Sequence, residues 1–323
     1  MLRSQNAILI GTFCIGLLLS MLIVVYNIDM TNYNHRIQFS QVFNIDLVFQ
    51  TNRPVVASIR EDIKPHNTMM PRINIAIGLG ITTNKIPMDK INSALPLFTT
   101  LLPSFCETAS LGYRYHFYLA HDHTDAFFSK EGSHKNFTVS FYTLVKTHCH
   151  PSLPVLLHFV NCGHSGKPAW AQNDAMMAAY NDSMDYYYRV NDDTKMKSKN
   201  WTEVFIRALS QFNPPNVGVV GPNHQGGNMA ILTYDFVHKT HVDIFGFYYP
   251  RNFTTWYADD WITKVYQPDK SRKMNEIIVL HTMSVGTRYN IASIGGQILE
   301  KQLERDKKTL QAWLTKHSST RAR

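Results

Sequence analysis

The chain has 323 residues, of which 44% are apolar, 12% aromatic and 17% charged. This composition supports a packed core and excludes a disordered or low-complexity chain. Four cysteines in that length exclude a disulfide-rich scaffold. Lys plus Arg total 32 against 24 Asp plus Glu, a net charge of +8, but residues 301–323 alone carry seven basic and two acidic residues. The first 300 residues therefore hold a net of only +3. No broad basic face remains, so nucleic acid is not an expected partner.

Residues 7–26 read AILIGTFCIGLLLSMLIVVY, with sixteen apolar residues of twenty and no charge. Twenty helical residues span roughly 30 Å, the thickness of the hydrocarbon core of a bilayer. The following NIDMTNYN offers no small-residue cleavage site, which favours an uncleaved anchor over a signal peptide. The amino terminus and Arg3 flank one end and Arg36 the other, so residues 1–6 face the cytoplasm and the body lies across the membrane. Four N-x-[ST] sequons, at Asn136, Asn181, Asn200 and Asn252, agree with a lumenal body. Cys14 falls in the span, leaving Cys106, Cys149 and Cys162 on the oxidising side. One disulfide and one free thiol are expected there. Cys149 and Cys162 are the nearest pair in sequence, and the connectivity stays open.

Residues 27–70 are polar and aperiodic and read as a stem. INIAIGLGI (73–81) then reads as a buried strand. Residues 88–105 carry apolar positions at helical spacing with Pro interruptions. YRYHFYLAHD (113–122) reads as a second strand and FTVSFYTLV (137–145) as a third. The Ala- and Met-rich stretch 167–182 predicts a helix, followed by strands at 184–190 and 217–222. Strands alternating with helices predict an α/β body over residues 71–300 with parallel elements. Residues 301–323 begin in a helical pattern and end in a basic tail.

The strand at 184–190 runs into Asn191-Asp192-Asp193. Carboxylates at a strand's C-terminal end sit where open α/β sheets bind ligands. Their hard oxygens suit Mg²⁺ or Mn²⁺, with a diphosphate completing the shell. Gly226 and Gly227 permit close backbone approach to a ligand or a positive φ. Asp259 and Asp260 lie in WYADDWITKVY, and a carboxylate in aromatic surroundings can act as a general base with a raised pKa. Trp256, Tyr257 and Trp261 offer a platform for a sugar face, with at least one of them expected in the core. His281 ends an apolar run and can ligate metal as a neutral imidazole. His224 and Arg288 are candidates for diphosphate contact. Two other groups weigh against these. His148-Cys149-His150 with Cys162 and His164 suits zinc, and His121 with His123 lies beside Asp122 and Asp125.

In order and spacing, these motifs resemble the family-2-like glycosyltransferases of the GT-A type over residues 71–290. Residues 73–83 resemble the nucleotide strand, and Asn191-Asp192-Asp193 the D-x-D metal motif with Asn first. Gly226–Ala230 resembles the glycine-rich loop, Ala258-Asp259-Asp260 the x-E-D motif with Asp for Glu, and His281 the late metal His. The resemblance implies a GT-A-like (Rossmann-related) mixed sheet flanked by helices, in a type II membrane protein of the Golgi or ER. It implies Mn²⁺ or Mg²⁺ on Asp193 and His281, with Asp192, Gly226 and Gly227 holding a UDP-linked sugar donor. Asp260 would be the base and Asp259 would orient a glycan or glycoprotein acceptor, with inversion as the outcome. Two other functions fit the same residues: a catalytically inactive, membrane-anchored binding protein on this fold, and a metal-dependent hydrolase using Asp192, Asp193, His121 and His123.

Overall fold

The computed structural model describes residues 45–48, 56–59, 73–282, 288 and 296–319. The anchor expected at 7–26 and most of the stem lie outside these residues. Among the described residues, no helix is long and apolar enough to cross a membrane.

The strands are β1 (Ile45–Val48), β2 (Val56–Ile59), β3 (Asn74–Ile81), β4 (Arg114–Asp122), β5 (Val155–Cys162), β6 (Tyr186–Arg189), β7 (Thr194–Met196), β8 (Val219–Gln225), β9 (Phe236–His238) and β10 (Ser271–His281). They form one mixed sheet in the order β1-β2-β5-β4-β3-β6-β9-β8-β10-β7. The helices are α1 (Ile91–Ala94), α2 (Leu102–Thr108), α3 (Ser133–His148), α4 (Pro168–Asn181), α5 (Trp201–Ser210), α6 (Thr240–Phe245), α7 (Ala258–Val265) and α8 (Gly296–Ser319). Strands β5, β4, β3 and β6 are parallel. The chain steps outward from β3 to β4 to β5, then returns through α4 to β6 on the other side of β3. The gap between the ends of β3 and β6 is thus a topological switch point, where open sheets place their ligands.

Strand alternation builds two cores. Ile75, Ile77 and Leu79 of β3, with Tyr115, Phe117 and Leu119 of β4, join one apolar cluster. Ala76, Tyr118, Ala120 and Tyr187 join the other, under the Ala- and Met-rich helix α4. Small residues on that face of β3 let α4 approach closely. A Cβ on Gly78 would lie 2.5 Å from Met176 Sδ, and one on Gly80 would lie 3.2 Å from Ala171 Cβ. The first turns of α4 are thereby held over the strand ends.

Several predicted elements are found, and one changes type. Residues 137–145, expected as a strand, lie within α3. Phe137 and Phe141, four apart, are buried on one face while Val139 is exposed. A crossover between parallel β4 and β5 needs such a helix, and tertiary packing overrides the local β-like alternation. The third parallel strand is instead β5.

The disulfide joins Cys106 to Cys149, not Cys149 to Cys162. Cys106 lies in α2 and Cys149 caps α3, and these helices pack together. Extended β5 carries Cys162 roughly 23 Å from the strand's start, which separates the two cysteines nearest in sequence. Cys162 is free and buried. Near the C-terminus, α8 runs unbroken through position 300 and buries Leu299, Leu303 and Leu310. Its buried Asp306 accepts a hydrogen bond from Trp261 Nε1 at 3.0 Å.

Two expectations follow. The disulfide closes a separation of 43 residues, so Cys106→Ser should destabilise the fold by about 4 kcal/mol in denaturant titration. Buried imidazoles make the fold acid-sensitive. His116 and His158 stand 3.0 Å apart, Nδ1 to Nε2, and burial lowers both from 6.5 to about 4, with His134 lowered likewise. A lowered folded-state pKa supplies stability above pH 6.5 that is lost as pH falls toward 4. Each histidine should cost up to about 1.4 kcal/mol per pH unit in that window, measured as unfolding free energy against pH.

Candidate active site

A cleft of about 600 Å³ opens at the switch point. Its walls come from the loop after β3 (Thr82, Asn84, Lys85), the end of β4 and the loop after it (Asp122, Asp125), the start of α4 (Pro168, Gln172) and Asn191-Asp192-Asp193 after β6, with His281 and Arg288.

The Asp–His pair is a product of strand register. Short β7 pairs antiparallel with β10, placing His281 opposite Thr194. Thr282 then donates to the Asp193 carbonyl from both its N–H, at 3.3 Å, and its hydroxyl, at 2.9 Å. Asp193 Oδ2 comes to 3.4 Å from His281 Nε2, with both side chains only partly buried. Parallel β8 pairs Gln225 with Leu280, so the next residues along, Gly226 and His281, also meet. Gly226 and Gly227 adopt φ of 90° and 73°. A Cβ on Gly226 would lie 3.3 Å from the His281 carbonyl, and one on Gly227 would lie 3.7 Å from Nδ1. The glycine pair thus lets the loop press against His281.

Asp192 behaves differently from its neighbour. It is 3% exposed, and its Oδ1 accepts a hydrogen bond from Arg288. Arg288 Nη1 donates to the Thr82 carbonyl at 2.9 Å, and Asn84 Nδ2 donates to the Arg288 carbonyl at 2.6 Å. Burial pushes the Asp192 carboxyl above the usual carboxylate range, and Arg288 opposes that shift. Asp192 Oδ2 is buried with no hydrogen-bond partner among the described residues.

Beneath these residues lies a second charged layer. Arg189 is buried on β6 and donates to the Asn191 side-chain oxygen at 3.4 Å and to the Thr233 carbonyl. Asp235 is fully buried and accepts the hydroxyls of Tyr248 and Tyr249. Burial pushes Asp235 up to about 6, against the pull of Arg189. Asp259 is pushed up by burial, drawn down by Arg189 and pushed up again by Asp260. Asp260 instead pairs with Lys264, one turn on in α7, at 3.1 Å. The carboxyl whose pKa the surroundings raise is therefore Asp259, whereas the sequence points to Asp260 as the base. Both acids occupy the first turn of α7, where the helix dipole favours them.

The structure thus brings Asp192, Asp193, Gly226, Gly227 and His281 together. The described lining of the cleft does not include Asp259 or Asp260; Asp259 interacts electrostatically with buried Arg189. Trp256 is exposed, whereas Trp261 is fully buried and belongs to the core. Of the two diphosphate candidates, Arg288 lines the cleft, while His224 is buried and its Nε2 meets the Asn228 carbonyl within the glycine loop. The competing centres are not assembled. Cys149 is oxidised, and buried His121 faces His134, Nε2 to Nε2, at 3.0 Å. Sequence reasoning missed Lys85 and Gln172 as lining residues. Asp125, which the sequence groups with His121 and His123, instead accepts the N–H and hydroxyl of Thr83 at 2.8 and 2.6 Å and shapes the loop after β3. TTNK directly after the first strand was the available signal.

The donor set fits a divalent cation. One carboxylate oxygen and one imidazole nitrogen 3.4 Å apart match two ligands of one ion at bonds of roughly 2.0–2.2 Å. The unpartnered Asp192 Oδ2 lies in the adjacent residue.

No family model matches the chain, and no curated protein matches it. Solved structures of S. aureus TarS are similar to it. TarS 1-349 in complex with UDP-GlcNAc shares 8% identity at a TM-score of 0.44, over 73% of this chain and 66% of that one. The complex with UDP shares 10% at 0.39, over 74% and 65%. A longer TarS structure shares 9% at 0.40, and there the match spans 72% of this chain but 38% of TarS.

Removing Arg288 should expose the cost of the buried Asp192 charge. Arg288→Met is expected to destabilise the fold by about 3–5 kcal/mol, and adding Asp192→Asn should recover much of it in a double-mutant cycle read by denaturant titration.

Proposed function

We propose that the protein is a glycosyltransferase on a GT-A-like fold, moving a sugar from a nucleotide-diphosphate donor, UDP-linked, to a glycan or glycoprotein hydroxyl. The observation that carries this is the Asp193–His281 pair on the wall of a cleft at the sheet's switch point. A nucleotide would enter over the ends of β3 and β4, with its diphosphate toward Asp193 and His281. Asp193 and His281 would hold a divalent cation, which would supply positive charge to the diphosphate leaving group. Arg288, held by its ion pair with Asp192, adds a fixed guanidinium on the same wall. The α7 acid pair serves the acceptor side, with Asp260 taking the hydroxyl proton, Asp259 orienting the acceptor and exposed Trp256 offering a sugar-stacking face. Attack from the side opposite the leaving group makes the reaction inverting.

The anchor and a Golgi or ER setting belong to the same proposal. Asn136, Asn181, Asn200 and Asn252 are all exposed, as glycan acceptors must be. The Cys106–Cys149 disulfide suits an oxidising compartment.

Purified protein given nucleotide sugars, an acceptor panel and Mn²⁺ should release UDP. Asp193→Ala should lower that release by at least roughly 100-fold. Asp260→Asn should lower kcat by roughly 10²–10⁴-fold while UDP binding persists. Binding without turnover in the unaltered protein would instead mark a binding protein, and no binding of any nucleotide sugar overturns both.

A further inference from the structure

Outside the cleft, the described residues hold one group of three metal-ligating side chains: Cys162, His164 and Asp174. One ligand atom from each lies within 4.8 Å of the other two. Cys162 ends β5, His164 follows it in the loop, and Asp174 sits one turn and a half into α4. The half of the zinc pattern legible in sequence survives here, and Asp174 replaces the oxidised Cys149.

We propose that Cys162, His164 and Asp174 form a second metal site, selective for a borderline-soft divalent cation such as Zn²⁺. Ligands on a tetrahedral Zn²⁺ stand roughly 3.3–3.8 Å apart, so side-chain shifts on the order of 1 Å close the present cluster. The thiolate sets the preference for zinc over the hard ions suited to Asp193 and His281. The ligands already face one another, and part of their bonding capacity is open. Cys162 Sγ makes a weak contact to the Val160 carbonyl at 4.0 Å and is within hydrogen-bonding reach of Asp174. His164 Nε2 lies 3.0 Å from Asp174 Oδ2, while its Nδ1 is buried with no hydrogen-bond partner among the described residues. Arg251 pairs with the other Asp174 oxygen and leaves Oδ2 to the cluster. That guanidinium also offsets the second negative charge that a thiolate and a carboxylate bring to one cation.

Access lies on the His164 and Asp174 side, because those side chains are 11% and 18% exposed whereas Cys162 is 1% exposed. As the metal–sulfur bond forms, the thiol proton leaves to solvent. The site would pin the turn at 163–166 to α4. That turn is one wall of the cleft, since the Gly166 N–H donates to Asp122 at 2.7 Å and both residues line it. The proposal does not depend on the transferase activity.

Co²⁺ titration of the full-length protein, read by near-ultraviolet absorption, tests it. Thiolate-to-cobalt charge transfer should appear and saturate at one equivalent, and Zn²⁺ should bleach it. Cys162→Ser should abolish the band. His164→Gln, a milder change checked for folding by circular dichroism, should weaken cobalt affinity by at least about tenfold. Asp193→Ala should leave the band intact, which separates this site from the cleft. No charge-transfer band at saturating Co²⁺, or a band that persists in folded Cys162→Ser, overturns the proposal.

Discussion

The candidate active site depends on the pairing of a three-residue strand with the end of an eleven-residue one. Nothing local holds Asp193 near His281, because 87 residues separate them in the chain. The antiparallel register of β7 against β10 sets Thr194 opposite His281, and Thr282 clamps the Asp193 carbonyl. Side chains alternate along a strand, so a one-residue slip would turn His281 to the other face. The same strand is held on its other side by β8, with a register shift between Met274 and Ile278. Beyond that irregularity, Leu280 faces Gln225, and the glycine pair that follows has only backbone to set against His281. One strand end therefore brings three separate motifs to one place.

Beneath that edge the sheet carries buried charge where an apolar core would be cheaper. Asp192 with Arg288, and Arg189 with Asp235, each place a carboxylate and a guanidinium in low dielectric. Buried charges persist only where partners and hydrogen bonds offset desolvation. Tyr248, Tyr249 and Thr233 supply that support around Arg189 and Asp235. This layer runs from Asn191 on the cleft wall to Asp259 on α7. It gives the acid pair an electrostatic link to the site, although neither acid lines the cleft. It also explains why two adjacent carboxylates diverge: Asp192 is consumed by an internal pair, whereas Asp193 stays accessible beside a histidine.

Much of the α/β scaffold was legible because its signals are local. Strands β3, β4 and β6 are apolar or aromatic runs bounded by Gly, Asp and Asn, and α4 is rich in Ala and Met. The misreading at 137–145 came from alternation that is equally compatible with one helical face, and only the need to cross from β4 to β5 decides for α3. The cysteine pairing was not legible, because sequence distance takes no account of an intervening extended strand. At the site, the order of motifs singled out Asp192, Asp193, Gly226, Gly227 and His281, which the fold gathers. The roles of the α7 acids were not legible in that way, since the partial burial of Asp259 and the Asp260–Lys264 pair arise from packing.

By itself, the sequence determined the alternation of strands and helices, the carboxylates at a strand end and the near-neutral charge of the body. These follow from periodicity, composition and residue chemistry, which act over a few residues. Only the tertiary structure decided which cysteines pair, which of two adjacent aspartates pairs with Arg288 and which with His281, and that Cys162 meets Asp174. Those outcomes depend on strand register and helix packing between segments far apart in the chain, and no local preference encodes them.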